Sequence, residues 1–421
     1  MQKVYTKVTD QLDFFQGNDP TKLAAEYGTP LYVYNERILR QRCRDLKGLV
    51  TYPHFVVDYS AKANSNLAFL EIVKEEGLEV DAMSPGEIHM ELLAGFAPKE
   101  IFYICNNVSE EEMRFAIEKG VITSVDSLSQ LEQYGRLNPG GEVAVRFNPG
   151  VGAGHHEKVV TAGKKTKFAV DAEKVDDVKA ILKKYNLKLI GINQHIGSLF
   201  MDGKAFTQSV ASLLEIAKQF DDLQFIDMGG GFGIPYHKED GEAPLDLEDL
   251  GKHLDETLKA FAKETGREIT FRIEPGRYIS AECSVILSQV HAVKENHGKK
   301  FVGCDVGFNV LQRPIMYDSY HGVEIFRASE EKSEKEETVS IVGNICESGD
   351  ILAKDRTLPE IKEGDTLCVL DAGAYGHAMS SNYNCRLRPA EVLIRENGEV
   401  VLIRERDDFA DLTRHQISLK K

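Results

Sequence analysis

The run Phe55-Val56-Val57-Asp58-Tyr59-Ser60-Ala61-Lys62-Ala63-Asn64-Ser65-Asn66 leads into an amphipathic stretch, Leu67 to Lys74. An apolar run, a short polar segment and a helical period read as strand, loop and helix. Lys62 then stands just past the C-terminal end of a strand, where parallel α/β barrels collect their chemistry. Its neighbours Ala61 and Ala63 are small, so a ligand can approach closely. A lysine partly withdrawn from water loses basicity, and its neutral amine becomes a Schiff-base nucleophile. The ordinary alternative is a solvated charge at a helix start. The rest of the chain decides between the two.

Outward from this stretch the same alternation recurs. Strand-like runs at 55–58, 78–82, 101–104, 121–125, 143–147, 189–192, 223–227 and 269–273 are separated by helical patterns, among them 85–94, 110–118, 175–184, 206–220 and 245–263. Eight such alternations predict a (β/α)8 TIM barrel, and the count favours it over a doubly wound open sheet. A further strand is expected at 30–34. Beyond Arg277 the pattern changes to strand-like runs at 285–293, 300–304, 339–342, 366–370, 391–395 and 400–403. This predicts a barrel domain over 30–282 and a mostly-β barrel or sandwich domain formed by 1–29 and 283–421. The charged run 328–338 reads as an exposed loop.

Composition bounds the function. The chain has 421 residues, 42% hydrophobic and 28% charged, enough for two soluble domains with sizeable cores. Fifty-one basic against 67 acidic residues give a net charge of −16, which argues against nucleic acid or anionic membrane as partner. No apolar run approaches the ~20 residues needed to span a bilayer. The N-terminus lacks the apolar core of a signal peptide. The seven cysteines are scattered without a CxxC pair, so neither a disulfide framework nor a metal site is expected, and a reducing cytoplasm is the natural compartment.

Polar residues follow nearly every expected barrel strand. Lys62 follows the first and Asp81 closes the second. Asn106 and Asn107, then Asn148, follow the third and fifth. Gln194-His195-Ile196-Gly197-Ser198 follows the sixth, Gly229-Gly230-Gly231-Phe232-Gly233 the seventh, and Glu274-Pro275-Gly276-Arg277 the eighth. Any one of them could be a cap or turn; together they converge on one mouth. The loops after strands seven and eight are the usual phosphate site of such barrels, and glycines let backbone N–H groups approach an anion. A lysine, a phosphate cradle and a carboxylate together suggest pyridoxal phosphate. Glu274 would keep the ring nitrogen protonated so that the ring can act as an electron sink, and His195 would lie over the ring face. In the second domain, Cys346 and Glu347 stand side by side between glycines, and the turn from Asp371 to Gly376 presents Tyr375.

These motifs, with Met379-Ser380-Ser381-Asn382-Tyr383-Asn384, mark a resemblance over nearly the whole chain to the fold-type III pyridoxal-phosphate decarboxylases, which have an alanine-racemase-like barrel. The resemblance implies that Lys62 carries the cofactor and His195 stacks on it. It implies that Ser198, Gly233, Gly276 and Tyr375 hold the phosphate region, beside Gly230 and Gly231 of the same glycine run, and that Glu274 pairs with the ring nitrogen, with Asp81 nearby. Arg277, Arg313, Tyr317, Tyr375 and Glu347 would hold the substrate, and Cys346 would donate the proton. Arg313 and Tyr317 lie in Arg313-Pro314-Ile315-Met316-Tyr317, which matches the family's Arg-Pro-x-x-Tyr stretch. The implied activity is decarboxylation of meso-2,6-diaminopimelate to L-lysine and carbon dioxide by a homodimer with shared active sites. Two arginines with one glutamate suit a substrate bearing a distal carboxylate and a distal ammonium. Relatives acting on ornithine, lysine, arginine or carboxynorspermidine are the near alternatives; a non-catalytic cofactor-binding protein and an amino-acid racemase are the distant ones. Pro85 stands where the family pattern has glycine, and Lys167-Phe168-Ala169-Val170 replaces Lys-Phe-Gly-Ile. Residues 150–165, rich in glycine with His155 and His156 between, are expected to form a lid over the mouth.

Overall fold

The computed structural model describes residues 7–148, 150, 167–327 and 335–419. The expected lid segment, apart from Gly150, and most of the charged loop at 328–338 lie outside the described residues. The chain divides into two compact units, one of Arg40–Pro235 and Pro244–Ile279, the other of Met1–Leu39, Tyr236–Ala243 and Ser280–Lys421.

The strands, in chain order, begin with β1 (Leu31–Asn35), β2 (Phe55–Ser60), β3 (Glu79–Ala82), β4 (Ile101–Ile104) and β5 (Ile122–Val125). Next come β6 (Glu142–Asn148), the two-residue β7 (Val170–Asp171), β8 (Lys188–Asn193), β9 (Phe225–Asp227) and β10 (Thr270–Ile273). In the first unit, strands run in the order β5-β4-β3-β2-β10-β9-β8-β6, and pairing of β5 with β6 closes the ring. This is the eight-stranded parallel barrel read from the alternation. Such strands are covered on both faces, which is why they appear in the sequence as continuous apolar runs. Side-chain caps start the intervening helices. Asn66 accepts from the Ala68 N–H to start the helix Leu67–Glu75. Ser84 accepts from the Glu87 N–H to start Pro85–Leu93, so Pro85 occupies the first helical turn, where its missing N–H costs nothing. Deep in the barrel, Arg272 Nη1 lies 2.9 and 3.1 Å from the two oxygens of Asp58 and 2.7 Å from Glu79 Oε2. Burial still pushes the Asp58 carboxyl up to about 7, against the pull of Arg272.

The second unit is built on a mixed sheet. Its strands are β1, β11 (Ser284–Asn296), β12 (Lys299–Cys304), β13 (Val323–Phe326) and β14 (Glu336–Val342), then β15 (Ile351–Pro359), β16 (Thr366–Val369), β17 (Ala390–Ile394) and β18 (Val400–Arg404). The order is β15-β14-β12-β11-β1-β17-β18, with β16 bridging β11 and β13. Phe14, Leu31, Val33, Leu287, Cys368, Val392 and Ile394 share its core. Residues 30–39 were expected in the barrel. They belong to this unit, because β1 pairs antiparallel with β11 (Leu31 opposite Leu287) and parallel with β17 (Leu31 opposite Ala390). A run buried on every residue has no local feature that says which sheet it joins. Among the described residues no helix is long and apolar enough to cross a membrane.

Gly251 lies in the helix Leu247–Thr265, where a Cβ would stand 2.2 Å from the carbonyl oxygen of Leu49. Alanine normally stabilises a helix interior by about 1 kcal/mol over glycine. Here the backbone clash reverses the sign, and Gly251→Ala is expected to destabilise the protein by about 1–3 kcal/mol in urea unfolding. A more stable variant would contradict this packing.

Candidate active site

β2 ends at Ser60, and the chain turns through a single 3-10 turn, Ala61–Ala63. Lys62 is half-buried there, between the fully buried Ala61 and Ala63. Ser60 Oγ lies 2.7 Å from Asp81 Oδ2 and 3.2 Å from the carbonyl oxygen of Glu274. Three carboxyls stand at the C-terminal ends of strands on either side of β2: Asp81 on β3, Asp227 on β9 and Glu274 just past β10. They are 0%, 0% and 3% exposed. Among the described residues, Asp81 Oδ1, Asp227 Oδ2 and Glu274 Oε1 receive no hydrogen bond from a protein donor. Burial, with the nearby Glu274 charge, drives the Asp81 and Asp227 carboxyls well above the usual range. Burial also opposes ionisation of Glu274, but the neighbouring Asp227 and the Lys62 charge outweigh it. Asp227 is thus held toward its protonated form and Glu274 toward its charged form.

His195 lies beside them. The Gly230 N–H donates to its Nδ1 at 3.2 Å, so the proton of the neutral ring sits on Nε2. Glu274 Oε2 is 3.6 Å from the same Nδ1, too far for a hydrogen bond. Burial first, and the Lys62 charge after it, lower this histidine to about 4. Arg146, 6% exposed on β6 and over the Phe168 ring at 4.8 Å, adds a cation; burial weakens its basicity against Glu274, Asp126, Asp227 and Asp81. Ser198 Oγ accepts from Arg277 Nη2 at 2.9 Å.

The glycine run serves loop packing. Gly231 has φ +110°, and a Cβ on Gly230 would stand 1.8 Å from the Glu274 carbonyl oxygen. The N–H groups of Gly229, Gly230 and Gly233 are committed to Asp227 Oδ1, His195 Nδ1 and the Phe200 carbonyl oxygen. Gly276 sits against Ser60 and Ala63, with 3.1 Å from its would-be Cβ to each of their Cβ atoms.

The structure thus gathers Lys62, Asp81, His195, Ser198, Gly230, Gly231, Gly233, Glu274, Gly276 and Arg277 in the barrel unit, around the ends of β2, β3, β8, β9 and β10. The other predicted residues lie in the β unit as three local groups. Arg313 and Tyr317 share the short helix Arg313–Tyr317, and Arg313 is 1% exposed. Tyr375, with φ +56°, sits in a turn whose Asp371 is held by Lys238 at 2.6 Å. Cys346 and Glu347 are exposed; Asn384 Oδ1 accepts from the Cys346 N–H at 2.8 Å, and Tyr383 OH donates to Glu347 Oε1 at 2.6 Å.

Sequence reasoning assigned no role to Asp227, Arg146, Tyr383 or Asn384. Asp227 closes an expected strand just as Asp81 does, so the same rule could have found it. The buried carboxyls call for a cationic or N–H donor, which the protonated ring nitrogen of pyridoxal phosphate provides. Ser198, Arg277 and the close-packed glycines suit its phosphate. The residues present fit that cofactor. Among the described residues, no group of three or more histidine, cysteine or carboxylate side chains could hold a metal ion.

The lowered His195 value has a consequence with a definite sign. Unfolded, an imidazole titrates near 6.5; folded, this one titrates near 4. Between those values the unfolded chain binds the extra proton, so the His195 contribution to stability, about 3 kcal/mol, is lost as pH falls from about 6.5 to 4. It is unchanged above that window. Unfolding of the cofactor-free protein is expected to show this slope, and His195→Gln to lack it. Identical pH profiles would overturn the assignment.

Comparison with known proteins agrees with this geometry. Residues 36–281 match the family model for the pyridoxal-binding domain of pyridoxal-dependent decarboxylases. The chain is 45% identical over 410 residues to the diaminopimelate decarboxylase of Methanothermobacter thermautotrophicus, covering 95% of this chain and 94% of the relative. It is 36% identical to that of Aquifex aeolicus, covering 96% of each. Among solved structures it is similar to the Helicobacter pylori diaminopimelate decarboxylase complexed with L-lysine, with TM-score 0.86, 30% identity and coverage of 94% of this chain and 98% of that one. The M. jannaschii enzyme in complex with L-lysine gives TM-score 0.84, 33% identity and coverage of 96% and 95%. The chain belongs to the pyridoxal-dependent decarboxylase family.

Proposed function

We propose that this protein removes one carboxylate of meso-2,6-diaminopimelate as carbon dioxide and leaves L-lysine. The observation that carries the chemistry is Lys62 at a barrel mouth, its charge acting on the buried carboxyls Asp81 and Glu274. The choice of substrate is supported by relatives of that activity matching almost end to end. Bound pyridoxal phosphate supplies a sink for the electron pair that the departing carboxylate leaves behind.

The chain's own residues do the rest. Lys62 would hold the cofactor through its amine. Glu274, held toward its charged form, would keep the ring nitrogen protonated. His195, neutral at working pH, would lie against the ring face. Asp81, with Ser60, flanks Lys62. Ser198, Gly231, Gly276 and Tyr375 would receive the phosphate, with Gly230 and Gly233 packing the loop that holds it. Arg277, Arg313, Tyr317, Glu347 and Tyr375 hold the substrate's far end, its carboxylate on arginine and its ammonium on Glu347. Cys346 returns a proton to the carbon that lost the carboxylate. In this reading the unit of Arg40–Pro235 and Pro244–Ile279 carries the cofactor, and the β unit supplies the residues for the substrate's far end. The working form is a cytoplasmic homodimer in which Cys346 and Glu347 of one chain serve the site built on Lys62 of the other.

Two experiments test this. Purified protein loaded with pyridoxal phosphate is expected to release carbon dioxide and L-lysine in equal amounts from meso-2,6-diaminopimelate, and to leave ornithine and arginine unchanged. Faster turnover of a diamine precursor would sink the substrate assignment. Lys62→Ala and Cys346→Ala proteins are each expected to be nearly inactive. Refolded together in equal amounts, they should regain roughly a quarter of wild-type sites, because half the dimers are mixed and each has one intact site. Activity no greater than the sum of the two variants would show that each site is built within one chain.

A further inference from the structure

Arg313 is the fully buried arginine of the β unit, and its surroundings are unusually well determined. Its Nη1 donates to Tyr236 OH at 2.9 Å and to His321 Nε2 at 3.1 Å, and its Nη2 donates to Ser319 Oγ at 3.2 Å. The guanidinium lies over the Tyr236 ring at 4.9 Å, and the Tyr236 and His321 rings meet edge to face at 5.6 Å.

The histidine tautomer follows from its partners. A guanidinium only donates, so His321 Nε2 must accept. The carbonyl oxygen of Leu370, 2.8 Å from His321 Nδ1, only accepts, so Nδ1 carries the proton. His321 is 1% exposed, so this neutral form is locked in place. Tyr236 is anchored as firmly. It opens the segment Tyr236–Ala243, which belongs to the β unit. Two residues on, Lys238 Nζ lies 2.6 Å from Asp371 and 3.3 Å from Glu282, and Glu239 accepts from Tyr320 OH.

We infer that Tyr236 and His321 are positioning residues for Arg313, setting the plane of its guanidinium for the carboxylate at the far end of the substrate. The inference rests on the reading of Arg313 as a substrate-binding residue. A planar fork recognises a carboxylate through two parallel N–H bonds, so affinity depends on the angle at which it is held. Tyr236 fixes that angle by stacking and by accepting one hydrogen. His321 fixes it by accepting the second hydrogen of the same nitrogen. With both Nη1 hydrogens committed, the guanidinium plane is restrained against rotation about the Cδ–Nε bond.

The test measures kcat and KM for meso-2,6-diaminopimelate in cofactor-loaded protein carrying Tyr236→Phe, His321→Leu, His321→Gln or Arg313→Met. Tyr236→Phe keeps the ring and loses the acceptor; His321→Leu loses the acceptor; His321→Gln places an amide oxygen near the position of Nε2. Tyr236→Phe and His321→Leu are expected to raise KM at least tenfold with kcat within about threefold, and His321→Gln to recover most of the loss. Adding Tyr236→Phe to Arg313→Met should cost nothing more, because the two act as one unit. Cofactor absorbance and melting temperature should stay at wild-type values in Tyr236→Phe and His321→Gln. If Arg313→Met raises KM while Tyr236→Phe and His321→Leu leave it unchanged, the positioning role is wrong and the substrate role of Arg313 stands. An unchanged KM in Arg313→Met overturns both.

Discussion

Carboxyl groups buried faster than the protein can supply donors are the constraint on which the barrel unit depends. Asp81, Asp227 and Glu274 each keep an oxygen that no described donor reaches, in a place where burial makes a lone charge cost several kcal/mol. The protein answers by holding Asp227 toward its protonated form beside a charged Glu274, and with the nearby cations Lys62 and Arg146. Deeper in the barrel, Arg272 answers Asp58 and Glu79 in the same way. A cofactor bringing a cationic ring nitrogen completes the balance at the mouth. Its binding would stabilise the fold by mass action as well as supplying the chemistry.

In the β unit the proposed functional residues are held by a different device. Each is tied by a specific hydrogen bond to a second loop: Arg313 by Tyr236 and His321, Cys346 by Asn384, and Glu347 by Tyr383. The turn bearing Tyr375 is tied through Asp371 to Lys238. Asn384, Cys385, Asp371 and Tyr375 all have φ between +55° and +57°, a costly backbone for residues other than glycine.

Much of this was legible in the sequence, for definite reasons. The barrel was readable because eight apolar runs alternate with helical periods, and because its strands are buried on both faces. Lys62, Asp81, His195 and Glu274 were readable because a polar residue at a strand's C-terminal end has a place to point. Cys346, Glu347 and Arg313 entered through resemblance, since no local period marks them. The home of β1 was not legible, because pairing is a long-range choice between sheets. The same holds for Tyr236–Ala243, an excursion whose partners lie about 45 to 135 residues further along the chain, beyond any local pattern. Pro85 looked like a departure from the family and is a helix N-terminus. The Gly233 N–H looked like an anion donor and is engaged by Phe200.

The central claim is that Lys62, set against Asp81 and Glu274, is the one lysine that holds the cofactor. The direct measurement is to add one equivalent of pyridoxal phosphate to cofactor-free protein, reduce with borohydride, digest and map the labelled peptide by mass spectrometry. The account predicts a single pyridoxyl label on Lys62 in the wild type and none at that position in Lys62→Ala. A label on another lysine, or one scattered over surface lysines in the wild type, would contradict it.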